Sequence, residues 1–486
     1  MLRFTFLFLL SVPSVQVSFA QSEQSMIKET HEALSHIYDS LNGDEWDDNS
    51  GWDVEIVPAT MSSFNNWYGI TVYGEEDDSL RIDLSDNNLK GEPSSFNLPD
   101  NHIGTLTSLT HLDMSDNKIE QWGQFRLNNP NLKVLNLSDN SFGLGFFSNR
   151  LESFLDDKVL LNLEVLDLSD NGIIDRIPVK WGDMKNLRVL DLSNNEISSS
   201  IPVEIGNLTN LRELNLSKNT IGRVGFGSDK IPAEIGNLSN LEILNLSDNL
   251  FTGSIPAEIG NLSNLEILNL SDNLFTGNIP RDFVNLSNLE ILDVGGTSNE
   301  LTGSIPPELG STNLRILNLE WNKLTGNIPP QLGNLSNLEV LNLGGTSNRL
   351  TGSIPPELGG TNLRILNLEW NDLEGNIPPE LGNLSNLDTL NLFRNEFTGS
   401  IPRSFLNLQL MEFRWALNDG LCAPPDEEFQ GWLDGFTSVG PTCISTVSVE
   451  ESNSGLPMHF ALHGSLPIMM NRDSEYEVSG TLFLEK

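Results

Sequence analysis

A chain of 486 residues with 27 basic and 67 acidic side chains carries a formal net charge of −40. Such a surface repels nucleic-acid phosphates and anionic lipid headgroups, which argues against both as partners and suits either simple solubility or a cationic ligand. Hydrophobic residues make up 38%, enough for a core, yet no later stretch holds the ~20 consecutive apolar residues that a spanning helix needs.

In chain order, the first segment reads as an export signal. Arg3 gives the positive start, Phe4 to Leu10 the apolar stretch, and Ser18-Phe19-Ala20 the small residues of a cleavage site, so removal of residues 1–20 is expected. Residues 21–78 read as an N-terminal cap. Ile27, Leu34, Ile37 and Leu41 fall on one face of a helix over 25–42, with Gly43 where it stops. Trp46, Trp52 and Trp67 follow as an aromatic plug. Asp44, Glu45, Asp47, Asp48 and Asp53 crowd the same segment. Their spacing matches no calcium loop, so a solvated charged loop is the simpler reading, and no metal or cofactor is expected.

Residues 79–402 repeat. The pattern L-x-x-L-x-L-x-x-N begins at Leu109 and recurs at Leu132, Leu163, Leu187, Leu211, Leu241 and onward to Leu387. Its asparagines form a column from Asn87 to Asn395, usually 24 residues apart, as from Asn171 to Asn195. Alternating leucines, such as Leu244 and Leu246, point one face of a short strand inward. The asparagine turns the chain, and its amide can satisfy buried backbone groups of adjacent coils. One coil cannot bury its own leucines, but stacked coils bury them together.

The coil Leu241 to Asn264, L-E-I-L-N-L-S-D-N-L-F-T-G-S-I-P-A-E-I-G-N-L-S-N, resembles the plant-type leucine-rich repeat with its L-T-G-x-I-P signature. The resemblance covers about 13 repeats. It implies an α/β solenoid: a right-handed superhelix with a parallel β-sheet on its concave face, a helical N-cap, and a second, smaller sheet near the T-G-x-I-P segments. Family members include extracellular receptor domains and secreted inhibitors of foreign enzymes. The stretch Glu32 to Gly69 resembles the family's N-terminal cap. Cysteines often flank the W-x-G segment in the plant version, whereas Asn65 and Val72 stand near those places here.

The segment Asn418 to Cys443 resembles the cysteine-bridged C-cap of bacterial repeat proteins, so residues 403–443 are expected to close the far end. Cys422 and Cys443 are the only two cysteines, and in an exported protein such a pair favours a disulfide over free thiols. Val449 to Pro467 resembles the start of the C-terminal sorting region used in bacterial type IX secretion. Leu466 to Asn471 departs from the run that follows there, so residues 444–486 read as a degenerate sorting tail. The similarity favours a bacterial source.

No catalytic constellation survives inspection. Serines lack a histidine partner in any recognisable motif, no glycine-rich phosphate loop appears, and the many carboxylates follow repeat position. The chain is therefore expected to be a binding protein, not an enzyme, and its concave face is the expected binding surface. In the N-terminal half that face carries an aspartate before most of the asparagines, at Asp86, Asp116, Asp139, Asp170, Asp248 and Asp272, with Asn194 and Lys218 interrupting the column. These form either an acidic strip for a cationic partner or a solubilising family consensus.

The C-terminal half breaks the pattern. Glu320-Trp321 and Glu369-Trp370 replace Ser-Asp, Gly344 and Gly345 occupy the coil between, and Phe393-Arg394 lie one coil beyond. Two coils separate the tryptophans by roughly 10 Å. Two arrangements are open: a slot with a glycine floor that holds a sugar ring or peptide side chain, or tryptophans lying flat on their neighbours. Leu289 to Asn337 and Leu338 to Asn386 are near copies 49 residues apart, so duplication alone accounts for the matching pair. The expected function is a secreted or cell-surface monomer that recognises protein or glycan. The alternatives are an adhesive or structural surface protein and, more remotely, ice binding by the asparagine rows.

Overall fold

Alternation at Leu244 and Leu246 dictates a short extended segment with both leucines on one side. In the computed structural model this segment is the strand Ile243–Asn245, with both leucines fully buried. The structure describes residues 13–74, 78–91, 106–120, 129–142, 151, 160–223, 229–437 and 440–443. The first twelve residues of the expected signal and the expected sorting tail lie outside them.

Equivalent strands build one 15-stranded sheet that runs in sequence order from Ile70–Tyr73 to Glu412–Arg414. The first pair, Ile70–Tyr73 with Ser79–Asp83, is antiparallel. From there on the neighbours are parallel, and Leu244, Leu268 and Leu292 stand side by side in register. The buried side chains form one continuous cluster from Ile27 to Phe429. The chain through Cys443 is thus an α/β solenoid with a single elongated core, as the repeat implied.

Opposite the sheet each coil returns through a one-turn 3-10 helix such as Ala257–Asn261, which starts directly after Pro256. Gly260 shows why that turn carries glycine. A Cβ there would sit 2.6 Å from the carbonyl oxygen of Asp282 on the next coil, so the absent side chain sets the close spacing between coils. The T-G-x segments pair into short ladders instead of one second sheet. Thr252–Ser254, Leu274–Asn278 and Glu300–Thr302 form one, and five strands from Thr325–Asn327 to Gly420–Cys422 form another.

The N-terminal helix spans Pro13–Ser40 and so starts earlier than the expected residue 25. No glycine or further proline interrupts the run before Gly43, and Pro13 sits where a helix tolerates a missing N–H. Ile27, Leu34, Ile37 and Leu41 are buried as their spacing required. Trp46, Trp52 and Trp67 close the same end of the core, with ring centroids 5.0 and 4.9 Å apart in turn. Where the plant cap carries cysteines, Asn65 bonds both backbone groups of Val72. Its Oδ1 accepts from the Val72 N–H at 2.6 Å, and its Nδ2 donates to the Val72 carbonyl at 3.4 Å. At the far end Cys422 and Cys443 are bridged, and the helix Glu427–Leu433, capped by Asp426, lays the buried Phe429 against Trp432.

Candidate functional site

Along the sheet, equivalent positions of successive coils form columns on the uncovered face. Two columns hold the turn that ends each strand. In a regular coil Asn245 Oδ1 accepts from both the N–H and the hydroxyl of Ser247, at 3.2 and 2.9 Å. The next residue, Asp248, then adopts left-handed backbone, φ 54°. This repeats at Asp86, Asp116, Asp139, Asp170, Asn194, Lys218 and Asp272. Aspartate and asparagine tolerate that conformation better than most residues, so the aspartates expected to line a strip occupy a conformationally selected column.

The C-terminal coils keep the turn but change its side chains. The backbone N–H of Glu320, Glu369 and Phe393 still donates to Asn318, Asn367 and Asn391, at 3.2, 3.2 and 3.1 Å. Only the hydroxyl bond is lost, which frees that position for other chemistry. In the following column Trp321 and Trp370 take φ 59° and 57°, and Arg394 takes 55°. Left-handed backbone at a bulky residue costs about 1–3 kcal/mol, where aspartate or glycine would cost less.

The structure brings the eight expected residues together on three adjoining coils plus the one that precedes them. Trp321 leans over the next coil instead of standing as a wall beside it. A Cβ at Gly345 would lie 3.0 Å from Cδ2 of Trp321, so the missing side chain there admits the indole, while a Cβ at Gly344 would meet the amide of Asn367 instead. Trp370 leans the same way and meets Phe393, with ring centroids 6.2 Å apart, while the Arg394 guanidinium sits 4.1 Å over its ring. Both tryptophans remain half-buried, each with indole surface open to solvent. Glu320 and Glu369 each accept a 2.8 Å hydrogen bond from the asparagine of the next coil, Asn342 and Asn391. Burial raises the Glu320 carboxyl above its ordinary range.

Sequence reasoning missed two features of this face. The first is Asp293, which stands in a column otherwise held nearby by Asn245, Asn269, Asn318 and Asn342. Burial pushes its carboxyl up to about 6, against hydrogen bonds from the Gly295 N–H and the Asn318 amide. An aspartate among the asparagines of the four nearest coils was the available signal. The second is a charge ladder at the strand-entry edge. Lys133, Glu164 and Arg188 pair in series, Arg212 pairs with Glu242, Arg315 with Glu339, and Arg364 with Asp388.

The concavities on this face are open grooves. One of about 740 Å³ runs past Lys133, Arg188 and Arg212, and another of about 570 Å³ runs past Glu266, Glu290 and Arg315. Among the described residues no group of three or more His, Cys, Asp or Glu converges as metal ligands, and no helix is long and apolar enough to cross a membrane.

A family profile described as a leucine-rich repeat region matches residues 204–358. Leucine-rich-repeat profiles also match residues 105–121, 128–144, 162–221, 362–384 and 386–408. No curated protein sequence matches the chain. Among solved structures, the PEPR1–AtPEP1 complex is 32% identical, with a TM-score of 0.64, over 80% of this chain and 51% of that one. The Arabidopsis receptor kinase HAESA, in complex with the peptide hormone IDA and the co-receptor SERK1, is 29% identical, with a TM-score of 0.56, over 74% and 61%. A Leptospira interrogans leucine-rich-repeat protein is 27% identical, with a TM-score of 0.52, over 71% and 86%. The chain thus spans between half and two thirds of the PEPR1 and HAESA chains. The stacked coils, the asparagine column and these matches together make it a leucine-rich-repeat protein of the plant type.

Proposed function

We propose that this protein is a non-catalytic recognition scaffold outside the cell, and that it binds a peptide or an extended protein segment across the C-terminal part of its sheet face. The observation that carries this reading is the pair Trp321 and Trp370 in left-handed backbone. Half-exposed indoles are frequent anchors of binding interfaces, and these two stand where the regular coils carry aspartate. Open grooves suit an extended ligand better than an enclosed small molecule. One of the structures it resembles, the Arabidopsis receptor kinase HAESA, holds the peptide hormone IDA. The Cys422–Cys443 bridge fits an oxidising compartment, as do the export-signal reading of residues 1–20 and the sorting-tail reading of residues 444–486.

Selection of a random 12-residue displayed peptide library on the immobilised protein tests the reading. Individual selected peptides are expected to lose at least tenfold in affinity for W321A/W370A, measured by titration calorimetry. Peptides that bind the double variant as tightly as the parent, or a selection that enriches nothing, would sink it.

A further inference from the structure

The edge ladder is broken in one place. Glu242, Glu266 and Glu290 succeed one another on adjacent coils, whereas from Lys133 to Arg212 and from Arg315 to Arg364 cations stand one or two steps apart. Glu242 has Arg212 at 2.8 Å. Glu266 and Glu290 are exposed and have no ion pair among the described residues. Three further carboxylates stand on the same coils or the next one, toward the strand ends. Among the described residues Asp272 accepts only a backbone N–H, from Thr297 at 3.2 Å, and Asp293 and Glu320 accept only neutral donors. Burial raises all three carboxyls, as it does where no cation compensates the charge. Arg315 closes the region on the C-terminal side but is already paired with Glu339 at 3.1 Å. The uncompensated carboxylates therefore end at the coil that begins the aromatic patch.

We infer that the partner of this sheet face is a basic peptide segment, whose Lys or Arg side chains lie over Glu266, Glu290 and their neighbouring carboxylates while an adjoining apolar residue packs on Trp321 and Trp370. This rests on the proposed peptide-binding reading and adds the charge class of the ligand. The geometry is commensurate. Seven coils from Glu242 to Phe393 extend about 29 Å at ~4.8 Å per strand, a distance that about nine extended residues cover. Like charges stacked on adjacent strands are mutually unfavourable when the face is empty, and a bound cation between them relieves that repulsion. The aromatic patch supplies the anchor that a charged surface alone lacks.

The same peptide selection separates this inference from the reading beneath it. On the parent protein the enriched pool is expected to be rich in Lys and Arg, and single enriched peptides to weaken at least tenfold in E266Q/E290Q. The control E234Q/E258Q removes the same charge from the opposite, turn side of the two coils that precede Glu266 and is expected to change affinity less than twofold. Circular dichroism confirms that both variants fold. An enriched pool that is neutral or acidic, or equal weakening in both variants, overturns the basic-peptide inference while leaving peptide binding intact. Failure to enrich any peptide removes the reading and the inference together.

Discussion

Asp293 is the residue at which sequence pattern and energetics part most sharply. Its column favours asparagine, which gives and accepts hydrogen bonds without charge, yet here a carboxyl is enclosed with Asp272 and Glu320 nearby. Its folded-state value lies near 6, above the ordinary 3.8, so the protonated form is the one the fold favours. The stability it contributes is fully present below about 3.8 and is lost as pH rises through about 6. That loss is on the order of 3 kcal/mol at neutral pH. Asp293→Asn keeps an Oδ1 acceptor for the Gly295 N–H and the Asn318 amide, both of which donate to that atom. The variant is expected to be more stable than the parent at pH 7.5 and nearly equal at pH 4, by urea unfolding at both values. A gap of the same size at both would remove burial of charge as the cause. The aspartate that recurs before the column asparagines was equally visible in the sequence, but its role was not. Backbone sign is invisible in a string of letters, so L-S-D-N reads as an acidic strip until φ near 50° shows a conformational demand. For the same reason the sequence located Trp321 and Trp370 but left their posture open, because only the turn fixes the direction in which each ring leans.

Between coils, the stacking element is the asparagine column. Asn273 is fully buried, accepts from the Phe251 N–H at 3.1 Å, and donates to the carbonyls of Leu246, Leu270 and Ser271 at 2.9, 3.3 and 3.1 Å. Its amide thus staples its own coil to the preceding one at groups that no strand partner reaches. Asn273→Ala strands a buried N–H and a buried carbonyl, and an unmade buried bond costs about 1–3 kcal/mol. A loss of about 3 kcal/mol is expected. The comparison is Asn264→Ala, an exposed asparagine with one bond, to the Ser239 carbonyl at 2.9 Å, where a loss under about 1 kcal/mol is expected. Equal losses in denaturant titration would mean that the column is decorative. This element was legible from periodicity alone, since a polar residue recurring every 24 positions beside buried leucines must answer to the backbone. The start of the N-terminal helix was not legible, because an apolar run reads equally as an export signal or as helix, and amphipathic spacing says nothing of where the first turn begins.

At the scale of the molecule, each coil touches only its neighbours, so stability is a sum of coils and interfaces and the array tolerates loss of whole units. The duplicated segments give a clean test. Coils Leu314–Asn337 and Leu363–Asn386 differ only at Lys323/Asp372, Thr325/Glu374 and Gln331/Glu380. Excision of residues 338–386 therefore presents to Leu387 nearly the same interface that it now has, with Arg315 taking the place of Arg364 opposite Asp388. Thr325 replaces Glu374 beside Glu396, which removes a like-charge contact in the small sheet. The shortened chain is expected to unfold in one cooperative transition, with the denaturant slope reduced by about a tenth in proportion to the surface removed. The excision also carries Arg394 and Phe393 to the coil after Trp321, so the guanidinium–indole stack now made by Trp370 is rebuilt on Trp321. Peptides selected on the parent should therefore bind the shortened protein more weakly but retain dependence on Trp321. Separate transitions, or loss of folding, would mean that the duplicated segments are coupled beyond nearest neighbours. Unweakened binding would mean that Trp370 and the glycine coil take no part in recognition.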